Sequence, residues 1–287
     1  VKMGILFRRK VTRLGVRASW PEMKAGQGVF NALYPVIYEN LKGPLNIEIL
    51  PSITYSNNRE RTQAGEWGKS QEDKQLGIGF KYGITSSVTA DLTINPDFSQ
   101  VESDAFQVEV NQRYPLFYTE KRPFFMEGVD IFGFFTVPNG FLPYAVHMRR
   151  IIDPFYGLKL TGFVKKTAFG FLVAGDEWPG QPWSEGTNPN KDKKALFGIA
   201  RGKYSLGKDS YIGLLYSVRE FAGQYNRVGG VDVGWRLSTN QKINASFLQA
   251  YSKEDDSTPS GSNANTYSSS NFNFFYTYNT KRLGMDA

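Results

Sequence analysis

Apolar and polar side chains alternate along this chain in runs of about ten residues, joined in turn by tight turns and long polar loops. The runs Gly157–Lys165, Ala168–Gly175, Ala195–Tyr204, Ser210–Arg219, Gly229–Ser238, Lys242–Ser252 and Ser268–Asn279 read as strands. Upstream, Pro44–Asn57 and Leu76–Ile84 follow the same rule. Gly229–Ser238 places Val231, Val233, Trp235 and Leu237 on one face and Asp232, Gly234, Arg236 and Ser238 on the other. Leu76–Ile84 sets Ile78, Phe80, Tyr82 and Ile84 against Gly77, Gly79, Lys81 and Gly83. Gly157–Lys165 and Ala168–Gly175 are less regular, because Phe163, Phe169 and Phe171 fall on the nominally polar face.

A soluble sandwich also alternates. These strands are longer than the usual 5–6 residues of soluble sheets, and their apolar face carries large aromatic side chains. Aromatics gather near strand ends (Tyr82, Trp178, Trp183, Tyr204, Tyr211, Tyr251, Tyr276, Tyr278), as interfacial girdles do. The pattern predicts an all-β fold, an antiparallel transmembrane β-barrel with about 12–14 strands in this chain, whole or as part of a larger barrel. Loop lengths orient it. Tight turns at Ile84–Ser87, Lys166-Thr167, Ser205–Asp209 and Thr239–Gln241 take one side, and long loops Arg59–Gln75, Asp176–Lys194 and Lys253–Tyr267 the other. Residues 1–287 read as one barrel domain, with 96–156 a lumen constriction or an external segment; this stretch either contributes two strands, Ala105–Asn111 and Val129–Phe135, or folds inward as the constriction.

Composition modifies this picture little. A mean hydropathy of -0.40 argues against a helical bundle, and no run of about 18 apolar residues exists; a barrel needs only every second residue apolar. The chain has no cysteine and a net charge of +7. Its basic residues are scattered, which favours anionic lipid headgroups over nucleic acid as partner. Val1–Ile5 shows no signal peptide, so the sequence reads as a mature chain or an internal piece.

Two stretches break the rhythm. Asn95-Pro96-Asp97-Phe98-Ser99-Gln100-Val101-Glu102 and Glu120-Lys121-Arg122-Pro123-Phe124-Phe125-Met126-Glu127-Gly128 combine charges, prolines and aromatics. With Leu6-Phe7-Arg8-Arg9, Ile47-Glu48-Ile49-Leu50-Pro51 and Arg149-Arg150, they resemble the barrel domain of a bacterial outer-membrane family of unknown function. Its members often carry an N-terminal module similar to family 9 carbohydrate-binding modules. The resemblance implies an outer-membrane location; no counterpart of the sugar-binding module lies in this sequence.

Candidate chemistry is sparse. One histidine, His147, and no cysteine preclude a histidine-based triad or a His/Cys metal cluster; His147 reads as a loop or interface residue. Gly77–Gly83 lacks the Lys-Ser/Thr ending of a phosphate loop. Carboxylates Asp97, Glu102, Asp104, Glu109, Glu120 and Glu127 could serve glycoside chemistry, or Asp97, Glu102 and Asp104 a calcium ion. The simpler reading pairs them with Arg113, Lys121, Arg122, Arg149 and Arg150 inside a lumen. No catalytic residue, metal or cofactor is expected.

Three functions follow in order of expectation: a porin-like channel or envelope component; a non-conducting scaffold or anchor for a surface carbohydrate-binding module or partner complex; and a carbohydrate-active hydrolase. The expected partners are outer-membrane lipid and lipopolysaccharide, with protein partners in an envelope complex and no nucleic acid. Phe124, Phe125, Phe132, Phe134 and Phe135 discriminate between the first two, since packing them inside would leave no pore.

Overall fold

The computed structural model describes residues 2–11, 16–22, 33–37, 46–59, 67–68, 70–98, 120–136, 145–177, 190–207, 209–255, 264–279 and 284–286. Fifteen strands are described. Near the start, β1 (Lys2–Ile5) pairs with β4 (Tyr34–Ile37), and β2 (Phe7–Val11) pairs with β3 (Val16–Trp20). The remaining strands form one antiparallel sheet of 11. They are β5 (Ile47–Asn58), β6 (Gln71–Thr85), β7 (Val88–Ile94), β8 (Pro154–Val164), β9 (Thr167–Asp176), β10 (Ala195–Gly207), β11 (Ser210–Phe221), β12 (Gln224–Arg236), β13 (Gln241–Asp255), β14 (Ala264–Asn279) and β15 (Gly284–Asp286).

Each strand of this sheet pairs with its neighbours in sequence, in an unbroken meander from β5 to β15. The all-β, antiparallel expectation holds. Closure is not seen: among the described residues β5 and β15 are edges that do not pair with each other. No helix of the described residues is long and apolar enough to cross a membrane; the one α-helix, α1, covers Pro123–Met126.

Turn positions follow the predicted sides, with one departure. Residues 220–228, which fall between the expected strands Ser210–Arg219 and Gly229–Ser238, are strand on both sides of a two-residue turn, Ala222-Gly223. Both turn residues have positive φ, 52° and 85°, the geometry that matches hairpin twist; glycine adopts it without strain, and alanine at the first position is carried by the ladder around it.

The register sorts the side chains into two faces. One carries Ile49, Ile53, Phe80, Leu158, Phe171, Leu214, Val231, Phe247, Phe272 and Phe274 in adjacent rows. It is solvent-exposed throughout, with Ile53 at 81%, Leu76 at 71% and Phe272 at 69%. The opposite face holds Asp91, Lys159, Thr161, Arg201, Asp232, Asn244 and Ser246, all buried. This departs from the usual water-soluble sheet: the outward face is apolar, and the covered face sets buried charges among apolar residues.

The irregularity of β9 now has a cause. Phe169 and Phe171 share the exposed face with Leu160 and Val173, while Leu172 and Ala174 point to the buried one. Both faces of β9 are apolar because its inward face is covered by Phe132, Met148 and Ile151, which join Leu172, Ala174, Ala195, Phe197, Ile199, Leu215 and Leu248 in the core.

Val129–Phe135 is not a strand. Val129–Phe132 is a 3-10 turn entered through Gly128 at φ 70°, and Gly133–Thr136 runs on without regular structure. Its apolar residues pack singly onto the sheet, so the strand-like spacing of Phe132 and Phe134 reflects docking instead of pairing. The expected strand Ala105–Asn111 lies outside the described residues.

Candidate functional site

The two motif stretches meet on the charged face of the sheet. Residues 120–136 and 145–153 lie across β7 to β12 there, and three glycines make room for three phenylalanines. A Cβ on Gly157 of β8 would stand 2.8 Å from the Phe124 ring, and one on Gly170 of β9 would stand 2.8 Å from Phe132. On Gly230 of β12 it would lie 3.1 Å from Phe134. These separations are at or below van der Waals contact, so any larger residue would lift the ring off the sheet. Phe125 turns the other way, edge-on to Phe124 at 5.0 Å, and is 1% exposed.

Polar anchors hold the backbone of the same segment. Glu48, Lys81, Asp91 and Lys159 form one cross-strand row of alternating sign over β5–β8. Lys159, fully buried, is ion-paired with Asp91 at 3.4 Å, and its Nζ donates to the carbonyls of Phe124 and Glu127. Lys81 pairs with the Glu127 carboxylate. A buried ammonium is tolerated when its charge and all its protons are satisfied; here the carbonyls at both ends of α1 contribute two of the three acceptors.

Arg122 does the same from within the segment. Its guanidinium donates to both carboxylate oxygens of Glu120, each at 2.8 Å, and to the carbonyls of Ile151 and Met148 at 2.5 and 3.0 Å. It stacks over Phe125 at 4.2 Å and Phe98 at 5.1 Å. One planar, five-donor group thereby joins 120–127 to 148–151. Asp176, fully buried at the end of β9, accepts from the backbone N–H groups of Ile152 and Asp153 at 3.0 and 2.8 Å.

The third anchor lies across β11. Arg201 of β10 and Asp232 of β12 are buried and paired at 2.8 and 2.9 Å. Arg201 Nε donates to Gly133 O at 3.1 Å, and the Phe135 N–H donates to Asp232 at 3.3 Å. Residues 133–135 are thus clamped by a pair of opposite charges.

The predicted site residues separate accordingly. Glu120 pairs with Arg122, whereas Glu127 pairs with Lys81 of β6, which was not among its expected partners. Asp97 accepts from the Thr54 hydroxyl on β5. Asp97 and Glu127 both line a cleft of about 340 Å³, together with Glu48, Lys81, Asp91 and Phe98. Arg149 and Arg150 sit in a 3-10 turn, Met148–Arg150, that follows His147, and the buried residue of that turn is Met148. Lys121 is half-buried beside Arg122, and its N–H donates to Glu120. Glu102, Asp104, Glu109 and Arg113 lie outside the described residues.

Lys159, Asp91, Arg201, Asp232 and Asp176 were not among the expected site residues. Their signal was present in part. Asp232 and Lys81 occupy the polar parity of cleanly alternating strands, and a charge at such a position needs an inward partner.

The profile of one protein family, described as a domain of unknown function (DUF5916), matches residues 43–136. That range runs from the start of β5 through the glycine-seated segment to Thr136. No curated protein matches the chain. The family description names neither a barrel nor a carbohydrate-binding module; it agrees with the expected resemblance only in that the function of the matching family is unknown.

Proposed function

We propose that this chain forms part of a bacterial outer-membrane β-barrel whose interior is filled by residues 120–136 and 145–153, making it a non-conducting scaffold instead of an open porin. The observation that carries this reading is the distribution of side chains, with exposed aliphatic rows on one face and a packed, charged segment on the other.

The exposed face has the layout of a lipid-contacting surface. On β12, Tyr225 and Trp235 bracket Gly229, Val231 and Val233, and Tyr204 lies toward the tight-turn end of β10, across from Ile212. Trp235 lies ten positions beyond Tyr225. At about 3.3 Å per residue and a tilt near 40°, their aromatic rows stand about 25 Å apart across the sheet, the height of an outer-membrane apolar band. Charged residues on this face, Lys74, Glu220, Arg227 and Lys253, gather toward the long-loop ends of their strands. A contiguous apolar surface of this extent needs cover, and lipid fits strands that long. The same reading requires both sheet edges to be paired in the membrane, because lipid offers no hydrogen bonds to an open edge.

The phenylalanine criterion favours the scaffold over the channel. Phe124, Phe125, Phe132 and Phe134 lie in or against the core, so the segment that carries them packs onto the charged face of the sheet. Planar-bilayer recording of the purified chain tests the reading. Absence of steady conductance in protein that is shown to be inserted supports it; ohmic, single-channel steps in the unaltered protein return the assignment to a porin.

A further inference from the structure

We propose a second site, for a phosphate-bearing ligand, at the tight-turn rim of the charged face. A pocket of about 770 Å³ opens there, lined among others by Lys165, Lys166, Lys203, Arg236 and Lys242, with Asp209 the carboxylate among its described residues. Those six side chains carry a net charge of +4. Asp209 is taken up by Arg236 at 3.0 Å, which leaves four ammonium groups facing one volume.

The fold builds this convergence. Lys203 stands two residues along β10 from buried Arg201, on the same face. Arg236 and Lys242 are directly opposed across β12 and β13, two like charges whose repulsion an anion offsets; Asp209 meets Arg236. Lys165-Lys166 is the β8–β9 turn, delivered to the same rim because Lys166 O accepts from the Ser205 N–H at 2.8 Å. Lys203 is pinned over the Tyr211 ring at 3.8 Å, so its ammonium has a set position before any ligand arrives.

A concave surface lined by one sign of charge concentrates counter-ions, and this volume falls within the range of small-ligand sites. Four lysines at different heights suit several phosphate oxygens better than one carboxylate, since each ammonium is a point donor. The chemistry is therefore an anionic phosphate or polyphosphate group, borne either by a soluble compound or by a lipid headgroup. The site rests on the rim geometry and stands whether or not the barrel reading does.

Calorimetric titration of the full chain in a neutral maltoside, at low ionic strength, tests it. Pyrophosphate is the first probe and lysophosphatidylglycerol micelles the second, with lysophosphatidylcholine, zwitterionic and without net charge, as the comparison. Saturable binding of pyrophosphate identifies a soluble ligand; binding of the phosphatidylglycerol probe alone identifies a headgroup. In either case K203Q/K242Q weakens affinity at least about tenfold, while K74Q, on the opposite face, leaves it unchanged. K165Q/K166Q, in an exposed turn, gives the same loss and carries the test if the first variant does not fold. Failure of both probes to saturate, or equal weakening in K74Q, overturns the proposal.

Discussion

Arg201 and Asp232 reach each other over an intervening strand, and Gly213 of β11 is the residue that permits it: a Cβ there would collide with both the guanidinium and the carboxylate. The pair and the glycine are one unit. Breaking a buried pair by removing one partner costs about 3–5 kcal/mol, because the other charge is left uncompensated. R201M and D232L should each lower unfolding stability by about that amount, and R201M/D232L should recover much of the loss. G213A, which leaves both charges in place but forces them apart, should cost about 1–3 kcal/mol. Denaturant unfolding in detergent, followed by tryptophan fluorescence, measures all four. A double variant worse than the sum of the singles would show that the pair does more than neutralise itself.

The phenylalanine seats make a second, separable prediction. G170V fills the space under Phe132, and F132A empties it. Both should release residues 129–136 from the sheet, with F132A costing about 3–5 kcal/mol as a buried aromatic truncation. G170A, a smaller intrusion, should fall between wild type and G170V. Hydrogen exchange read by mass spectrometry at 129–136 reports the release directly; unchanged exchange in G170V would mean that the ring is held by the Arg201–Asp232 clamp alone.

Much of the sheet was legible in the sequence because period-2 alternation is a local signal, and strands such as Gly229–Ser238 carry it without interference. It blurred where a strand has apolar cover on both sides: Phe169 and Phe171 broke the pattern of β9 because Leu172 and Ala174 also needed a greasy neighbour. Val129–Phe135 misled for the converse reason, since alternate phenylalanines serve docking onto glycines as well as pairing. The charged anchors of the site were half visible. Glu120, Arg122 and Glu127 drew notice through their unusual neighbourhood, whereas Lys159, Arg201 and Asp176 sit in ordinary strands, and their importance arises from segments distant in sequence that settle on them. No local pattern encodes such an encounter.

Lys159 tests how tightly the segment is held. K159M keeps the aliphatic stem but removes the donor to the carbonyls of Phe124 and Glu127 and strands the Asp91 carboxylate. A stability loss of about 3 kcal/mol or more is expected, concentrated locally, so that α1 opens while the ladder persists. Chymotrypsin cleavage after Phe125, buried in the native chain, should accelerate by at least about tenfold, following the population of the open form. K159M/D91L should slow it again. Cleavage unchanged in K159M would indicate that Arg122 alone retains the segment.

The exposed apolar face separates lipid from water as its surroundings. Leu214 lies midway along β11, 63% exposed, between Val231 and the backbone of Gly202. In a bilayer, an arginine at such a depth costs about 2–4 kcal/mol, falling toward zero near the interfaces. On a water-exposed sheet the same change is worth about 0.5 kcal/mol or less. L214R should therefore lower stability strongly in phospholipid bilayers, and R227L, at the long-loop end of the same face, should be near neutral. Y225R, close to Arg227, should fall at the low end of the same scale. A depth profile of this form across β11 and β12 cannot be produced by a protein layer packed on the face, which would penalise every arginine alike. A flat response, with L214R as mild as Y225R, would place this surface in water and remove the barrel with it.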